Sequence, residues 1–135
     1  MTSQPSILYV EDEPRSRTVM EMVATYLELP SMTIFEDSTD FIARAEAVEP
    51  RPDVVLLDIH LKPHNGFEML SMLRQSARFQ GVPIVAMTAS VMNEEVEQLR
   101  TAGFDGCLAK PIDLMTFGDT LDLIVRGENV WRIFG

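Results

Sequence analysis

Short apolar runs alternate with amphipathic stretches along the whole of this chain, and that alternation restricts it to very few folds. Ile7 to Val10, Met32 to Phe35, Val54 to Leu57, Ile84 to Met87 and Cys107 to Ala109 read as strands. The central runs lack inside–outside alternation, as expected of strands covered by helices on both faces. Pro14 suits a helix start, with Val19, Val23, Tyr26 and Leu27 at helical spacing behind it. Ser38 is a plausible N-cap for a helix carrying Phe41, Ile42, Ala45 and Val48. Phe67, Leu70 and Leu73 share a third helical face. Val91 to Arg100 suits a helix with Val96 and Leu99 inward and Gly103 placed to stop it. The last helix should run from about Leu114 to Arg126, with Phe117, Leu121 and Ile124 inward and Gly127 ending it. Five strands alternating with five helices predict parallel pairing through right-handed crossovers.

At 135 residues the chain fits one domain with a real core. Its 21 acidic residues outnumber 11 Lys plus Arg, for a formal net charge of -10. That argues against nucleic-acid binding, which rests on basic surface, and against docking to anionic lipid. A divalent cation suits it better. Cys107 is the lone cysteine, so no intrachain disulfide forms and a reducing compartment is expected. The first residues lack the order of a signal peptide, and no apolar run approaches the roughly 20 residues of a membrane span. A cytoplasmic domain with no membrane partner is the expectation.

Four of the runs end in polar residues able to handle a phosphoryl group. Glu11 and Asp12 follow the first, Asp58 ends the second, Thr88 follows the next, and Lys110–Pro111 follows the last. In open parallel sheets ligands bind beyond the carboxyl ends of the strands, where these residues would converge. Asp58 is the candidate nucleophile, since a carboxylate can attack phosphorus to give an acyl phosphate. Its bland alternative is a loop cap or a structural partner of Lys110. Adjacent Glu11 and Asp12 repel each other and Asp58 unless a cation sits among them, and Mg2+ is the natural choice. Glu13 fits the helix N-terminus instead. Lys110 would pair with Asp58 at rest and with phosphoryl oxygens after transfer, and its bond to Pro111 is a candidate for the cis form. Thr88 offers a hydroxyl donor, and small Ala89 lets its N–H approach.

Taken together, these motifs resemble those of response-regulator receiver domains of bacterial two-component signalling, of the chemotaxis-regulator type, over roughly residues 6 to 126. The resemblance implies a flavodoxin-like three-layer α/β sandwich, a five-stranded parallel sheet of order 2-1-3-4-5 with five helices. It implies a receiver over residues 1–127 and an apolar tail over 128–135. Asp58 then accepts a phosphoryl group from a sensor histidine kinase or histidine phosphotransfer protein, or from a small acyl phosphate. Mg2+ is held by Asp12, Asp58 and the backbone carbonyl of His60, with Glu11 acting through water. Thr88 is the switch hydroxyl, and the output is contact with a downstream protein target. Such a domain is a phosphoacceptor with at most slow autodephosphorylation, not a turnover enzyme.

The chain departs from the pattern at several places. Where the family carries a switch aromatic, three residues before the lysine, this chain has Cys107. Lys62 stands where the family's proline is common, and Pro63 follows. His60 and Ser90 occupy the two positions expected to tune the lifetime of the acyl phosphate. A metal pair of His60 and His64 with Asp58 is the weaker reading, because a loop does not give their i,i+4 spacing helical geometry and zinc sites ordinarily need three or four protein ligands. Enzymes with an aspartyl-phosphate intermediate need a second acid–base Asp two residues after the nucleophile, where His60 stands. A docking module that takes no phosphate is the remaining alternative. Val130, Trp131, Ile133 and Phe134 in the tail either fold back or dock a partner, a homodimer included.

Overall fold

The computed structural model describes residues 5–89 and 92–132. The elements in order are β1 (Ser6–Val10), α1 (Pro14–Tyr26), β2 (Ser31–Phe35), α2 (Phe41–Glu46), β3 (Val54–Asp58), α3 (Gly66–Gln75), β4 (Ile84–Thr88), α4 (Asn93–Ala102), β5 (Gly106–Ala109), α5 (Leu114–Val125) and β6 (Val130–Arg132). A single 3-10 turn, Ala77–Phe79, joins α3 to β4. The strands form one sheet of order β2-β1-β3-β4-β5-β6, parallel at every pairing. This is the flavodoxin-like fold with the expected order of its first five strands.

Side chains alternate across the pleat, so each central strand feeds both layers. Leu8, Val10, Val55, Leu57, Ile84, Ala86 and Cys107 pack with Phe41, Ala45, Met69, Leu73 and Leu99 of α2, α3 and α4. Ile7, Tyr9, Val54, Leu56, Val85, Met87 and Leu108 pack with Met20, Val23, Phe117, Leu121 and Ile124 of α1 and α5. Both faces are sealed, which is why β1, β3 and β4 are apolar without alternation.

Several local expectations change. Ser38 is not the cap of α2. Asp40 holds that place in the left-handed region at φ 49, while the Ser38 hydroxyl donates to His64 O and accepts from His64 N–H, both at 2.7 Å. Ser38 therefore ties the α2 entry to the loop after β3. Val19 and Tyr26 do not face inward. They are exposed, and Met20 with Val23 forms the buried stripe of α1. Helix α4 begins at Asn93, while Val91 lies outside the described residues. Gly103 ends it at φ 104, as expected.

The sheet also carries a sixth strand. After α5 the chain turns at Gly127 and runs back beside β5, with Val130 opposite Gly106 and Trp131 opposite Cys107. Val130 and Trp131 thus fold back on the domain, and Ile133 and Phe134 lie outside the described residues. The Arg100 guanidinium stacks over the Trp131 ring at 4.2 Å from its centroid. Gly106 permits this approach, for a Cβ there would collide with the Val130 carbonyl oxygen. Gly106→Ala is therefore expected to lift β6 off β5, at about 1–3 kcal/mol. Trp131, the single tryptophan, should shift its emission to the red. Unchanged emission with an unchanged denaturation midpoint would contradict the docked strand.

Candidate functional site

The carboxyl ends of β1, β3, β4 and β5 bring together the residues singled out in the sequence. Pleat alternation sorts them by face. Glu11 continues the Ile7–Tyr9 side of β1, Asp58 the Val54–Leu56 side of β3, and Lys110 follows Leu108 on β5, all toward α1 and α5. Thr88 follows Ile84 and Ala86 toward the opposite layer, where Cys107 also lies.

Lys110 Nζ donates to Asp58 Oδ2 at 2.7 Å and to Glu11 Oε1 at 2.9 Å. Both carboxylates are buried, Glu11 completely, so one ammonium offsets two anions with little help from water. The other Asp58 oxygen, Oδ1, accepts the His60 N–H at 2.9 Å. Gly66 allows that tight loop. Its N–H donates to Ile59 O at 2.9 Å, and a Cβ would meet Asp58 O at 3.2 Å. Asn65 and Glu68 close a capping box that fixes the start of α3 behind the loop.

The acidic loop between β1 and α1 is equally constrained. Glu13 caps α1, accepting from Arg15 N–H and Ser16 N–H, which is the bland role expected of it. Its own N–H donates to Glu11 Oε2 at 3.2 Å. Arg17 Nη1 donates to the carbonyls of Glu11 and Asp12 at 3.1 and 2.7 Å, holding both backbones in place. Glu11, Asp12 and Asp58 each offer a carboxylate oxygen within 4.8 Å of the others. Asp12 is exposed and opens that cluster to solvent. Three carboxylates facing one ammonium leave excess negative charge, and an all-oxygen donor set suits a hard divalent cation such as Mg2+.

Electrostatics separates the two buried carboxyls. Burial, then hydrogen bonding with Asp58, raises Glu11 above the usual range despite Lys110 and Tyr9. Burial would raise Asp58 too, but hydrogen bonds from Glu11, Lys110 and the His60 N–H outweigh it and hold Asp58 low. Burial opposes the charge on Lys110, and Asp58 and Glu11 reverse that, so its ammonium is secured. The Cys107 thiol is buried and pushed up to about 11, which makes it a poor redox sensor.

Thr88 is buried at the end of β4, and its carbonyl accepts the Lys110 N–H at 2.9 Å. Ala89 is exposed next to it, while Ser90 lies outside the described residues. Lys110–Pro111 is cis, as are Lys62–Pro63 and Glu49–Pro50. His60 is exposed beside a cavity that Thr88, Phe67, Glu95 and Gln98 also line. His64 turns to Glu68, at 3.9 Å, so the His60–His64 pair with Asp58 does not form. Two residues went unnoticed in the sequence: Arg17, and Tyr9, whose hydroxyl donates to Glu11 Oε1 at 2.8 Å. Tyr9 could have been found from its place two residues before Glu11 on one pleat face. No described helix is long and apolar enough to cross a membrane.

The two shifts make opposite contributions to stability. A raised Glu11 stabilises the fold below its ordinary range, near 4.3, and that contribution is lost as pH rises through its folded value. A lowered Asp58 contributes above its ordinary range, near 3.9, and loses it as pH falls through its folded value. Glu11→Gln is thus expected to raise the metal-free melting temperature at pH 7 by about 3 °C. The gain should fade as pH drops below the ordinary Glu range. A melting temperature lowered by the substitution at pH 7 would contradict the assignment.

A family model described as the response regulator receiver domain matches residues 7–122. The polar-differentiation response regulator DivK of Brucella anthropi is 28% identical over 116 residues, which span 86% of this chain and 92% of that protein. Response regulator Rre1 of Synechocystis is 36% identical over 135 residues, 93% of this chain, and the match spans only 52% of that protein. Among solved structures, the receiver domain of the Pseudomonas aeruginosa sensor histidine kinase PA1611 is similar with TM-score 0.79 and 28% identity. That match covers 92% of this chain and 99% of the other, which is described with a magnesium ion coordinated in its active-site cleft. Chemotaxis response regulator CheY4 of Vibrio cholerae shares the fold at TM-score 0.79 and 22% identity, over 90% of this chain and 99% of its own.

Proposed function

The chain belongs to the response regulator receiver domain family, and from that premise we propose that it accepts a phosphoryl group on Asp58 and signals through phosphorylation-dependent protein contacts. The observation that carries this reading is the buried Asp58 carboxylate, held low by hydrogen bonds from Glu11, Lys110 (at 2.7 Å) and the His60 N–H, and set within 4.8 Å of two further carboxylates. A buried carboxylate that stays ionised is a usable nucleophile, and a cation-binding cluster beside it suits a dianionic phosphoryl donor.

In the transfer step an Asp58 oxygen forms a bond to phosphorus while the donor's P–N bond breaks. The electron pair leaves on the imidazole nitrogen, which takes up a proton. Asp12, Asp58 and the His60 carbonyl would hold Mg2+, with Glu11 acting through water, and the bound ion would offset charge on the transferring oxygens. Lys110 moves from Asp58 to the phosphoryl oxygens. The Thr88 hydroxyl and the Ala89 N–H would then receive those oxygens, biasing the segment that leads into α4.

The donor fitting this site is a phosphohistidine on a sensor histidine kinase or histidine phosphotransfer protein, and the acceptor of the signal is a protein target in the cytoplasm. His60 stands where an aspartyl-phosphate enzyme needs its second Asp, which supports a signalling role with at most slow autodephosphorylation. His60 and Ser90 would set that rate, and Cys107 would make the coupling from Thr88 unlike that of a chain with an aromatic there. The receiver proper would span residues 1–127, with 128–135 as its appendage.

Acetyl phosphate with Mg2+ should give an alkali-labile, single-phosphoryl mass increase that maps to Asp58 and disappears in Asp58→Asn. Lys110→Met should slow labelling about a hundredfold, since the electrostatic stabilisation it supplies is worth on the order of 3 kcal/mol. An unlabelled wild type would overturn the proposal, and label surviving Asp58→Asn would move the acceptor elsewhere.

A further inference from the structure

Glu11 Oε1 accepts from two side-chain donors, Tyr9 hydroxyl at 2.8 Å and Lys110 Nζ at 2.9 Å. Glu11 is wholly buried and the Tyr9 ring nearly so, so bulk water cannot readily replace either donor. The phenol is fixed by its strand. It belongs to the same buried cluster as Met20, Met87, Leu108 and Phe117, and the pleat directs it along the same face toward Glu11. A cavity of about 120 Å³ between α1 and the Lys110–Pro111 segment reaches Tyr9, lined also by Ser16, Val19 and Ile112.

The reaction asks Lys110 to exchange partners, while Glu11 cannot follow it. Its Oε2 is engaged by the Glu13 N–H, and the loop that carries it is clamped by Arg17. If Lys110 were the sole donor to Oε1, moving it would strand a buried carboxylate oxygen, and the ammonium would be held back. The Tyr9 hydroxyl supplies a donor that stays. We propose that Tyr9 is a positioning residue of the phosphoacceptor site, whose hydroxyl satisfies Glu11 Oε1 and so releases Lys110 toward a phosphoryl group on Asp58.

This inference rests on the phosphoacceptor reading and adds to it a residue outside the acidic cluster. Neutral donation suits the role. The phenol is held in its protonated form, since burial and then the charge of Glu11 raise it. An apolar aromatic at position 9 would fill the same space without the donor. The ring of Tyr9 thus serves packing, and its oxygen serves Lys110.

The test compares wild type, Tyr9→Phe, Glu11→Gln and the double variant at saturating Mg2+. Two readouts are followed: the single-turnover rate of labelling by acetyl phosphate, and the affinity for beryllofluoride, a phosphoryl mimic, by fluorine NMR. Tyr9→Phe should slow labelling and weaken beryllofluoride binding, each about fivefold, while its circular dichroism matches wild type. In the Glu11→Gln background the same change should have little effect, because the hydroxyl acts through the Glu11 carboxylate. A Tyr9→Phe chain with wild-type rate and affinity overturns the proposal, and so does an equal loss in both backgrounds, which would mark general loosening of the core. If the wild type takes neither phosphoryl group nor beryllofluoride, the phosphoacceptor reading falls and this inference falls with it. A labelled wild type with an unaffected Tyr9→Phe overturns this inference alone.

Discussion

One ammonium shared by two buried carboxylates governs this molecule's site. Lys110, at the end of β5, lies within hydrogen-bond distance of Asp58 and Glu11, which stand at the ends of the adjacent strands β3 and β1. Removing two carboxylates from water is unfavourable, and a single cation offsets that only in part. The fold tolerates the remainder because the strands beneath are among its most buried segments. The excess negative charge is also what equips the cluster for a divalent cation and a phosphoryl group. Stability is given up at the place where chemistry requires charge.

Pleat alternation divides the site into two halves. Tyr9, Glu11, Asp58 and Lys110 stand on the α1–α5 side, where the charge network lies. Thr88 and Cys107 stand on the side of α2, α3 and α4. A signal leaving Asp58 for the second layer must therefore cross the sheet edge through the end of β4. Cys107 is fully buried there and pairs laterally with Trp131 of β6, so the neighbourhood of the thiol includes an aromatic carried by the next strand. The sixth strand also covers what would otherwise be the open edge of β5.

Most of the site was legible because parallel strands sealed on both faces must be apolar, and any polar residue ending such a run then stands out. Asp58, Thr88 and Lys110 were found that way. Two kinds of residue escaped. Tyr9 sits inside an apolar run and reads as core, for its hydroxyl gains meaning only once Glu11 is known to be buried two residues on. Arg17 sits one turn into α1, and only the fold brings its guanidinium back to the Glu11 and Asp12 carbonyls. Local choices between neighbours were also poorly fixed. Val19 and Met20 are both apolar, and packing against the sheet selected Met20. Ser38 has the chemistry of a cap but found a better partner in the backbone of His64. The sixth strand is three residues long, and its pairing depends on the missing side chain of Gly106, a signal too small to read beforehand.

Hydrogen bonds from Glu11, then Lys110, hold Asp58 as the charged carboxylate, while Glu11, deeper and shared, is the first to take a proton. Carbon-13 NMR titration of the Asp58 and Glu11 side-chain carboxyls in the metal-free protein tests this directly. The account predicts that Asp58 titrates below the ordinary aspartate range and Glu11 above the ordinary glutamate range. The reverse order, or two ordinary carboxyls, would contradict it.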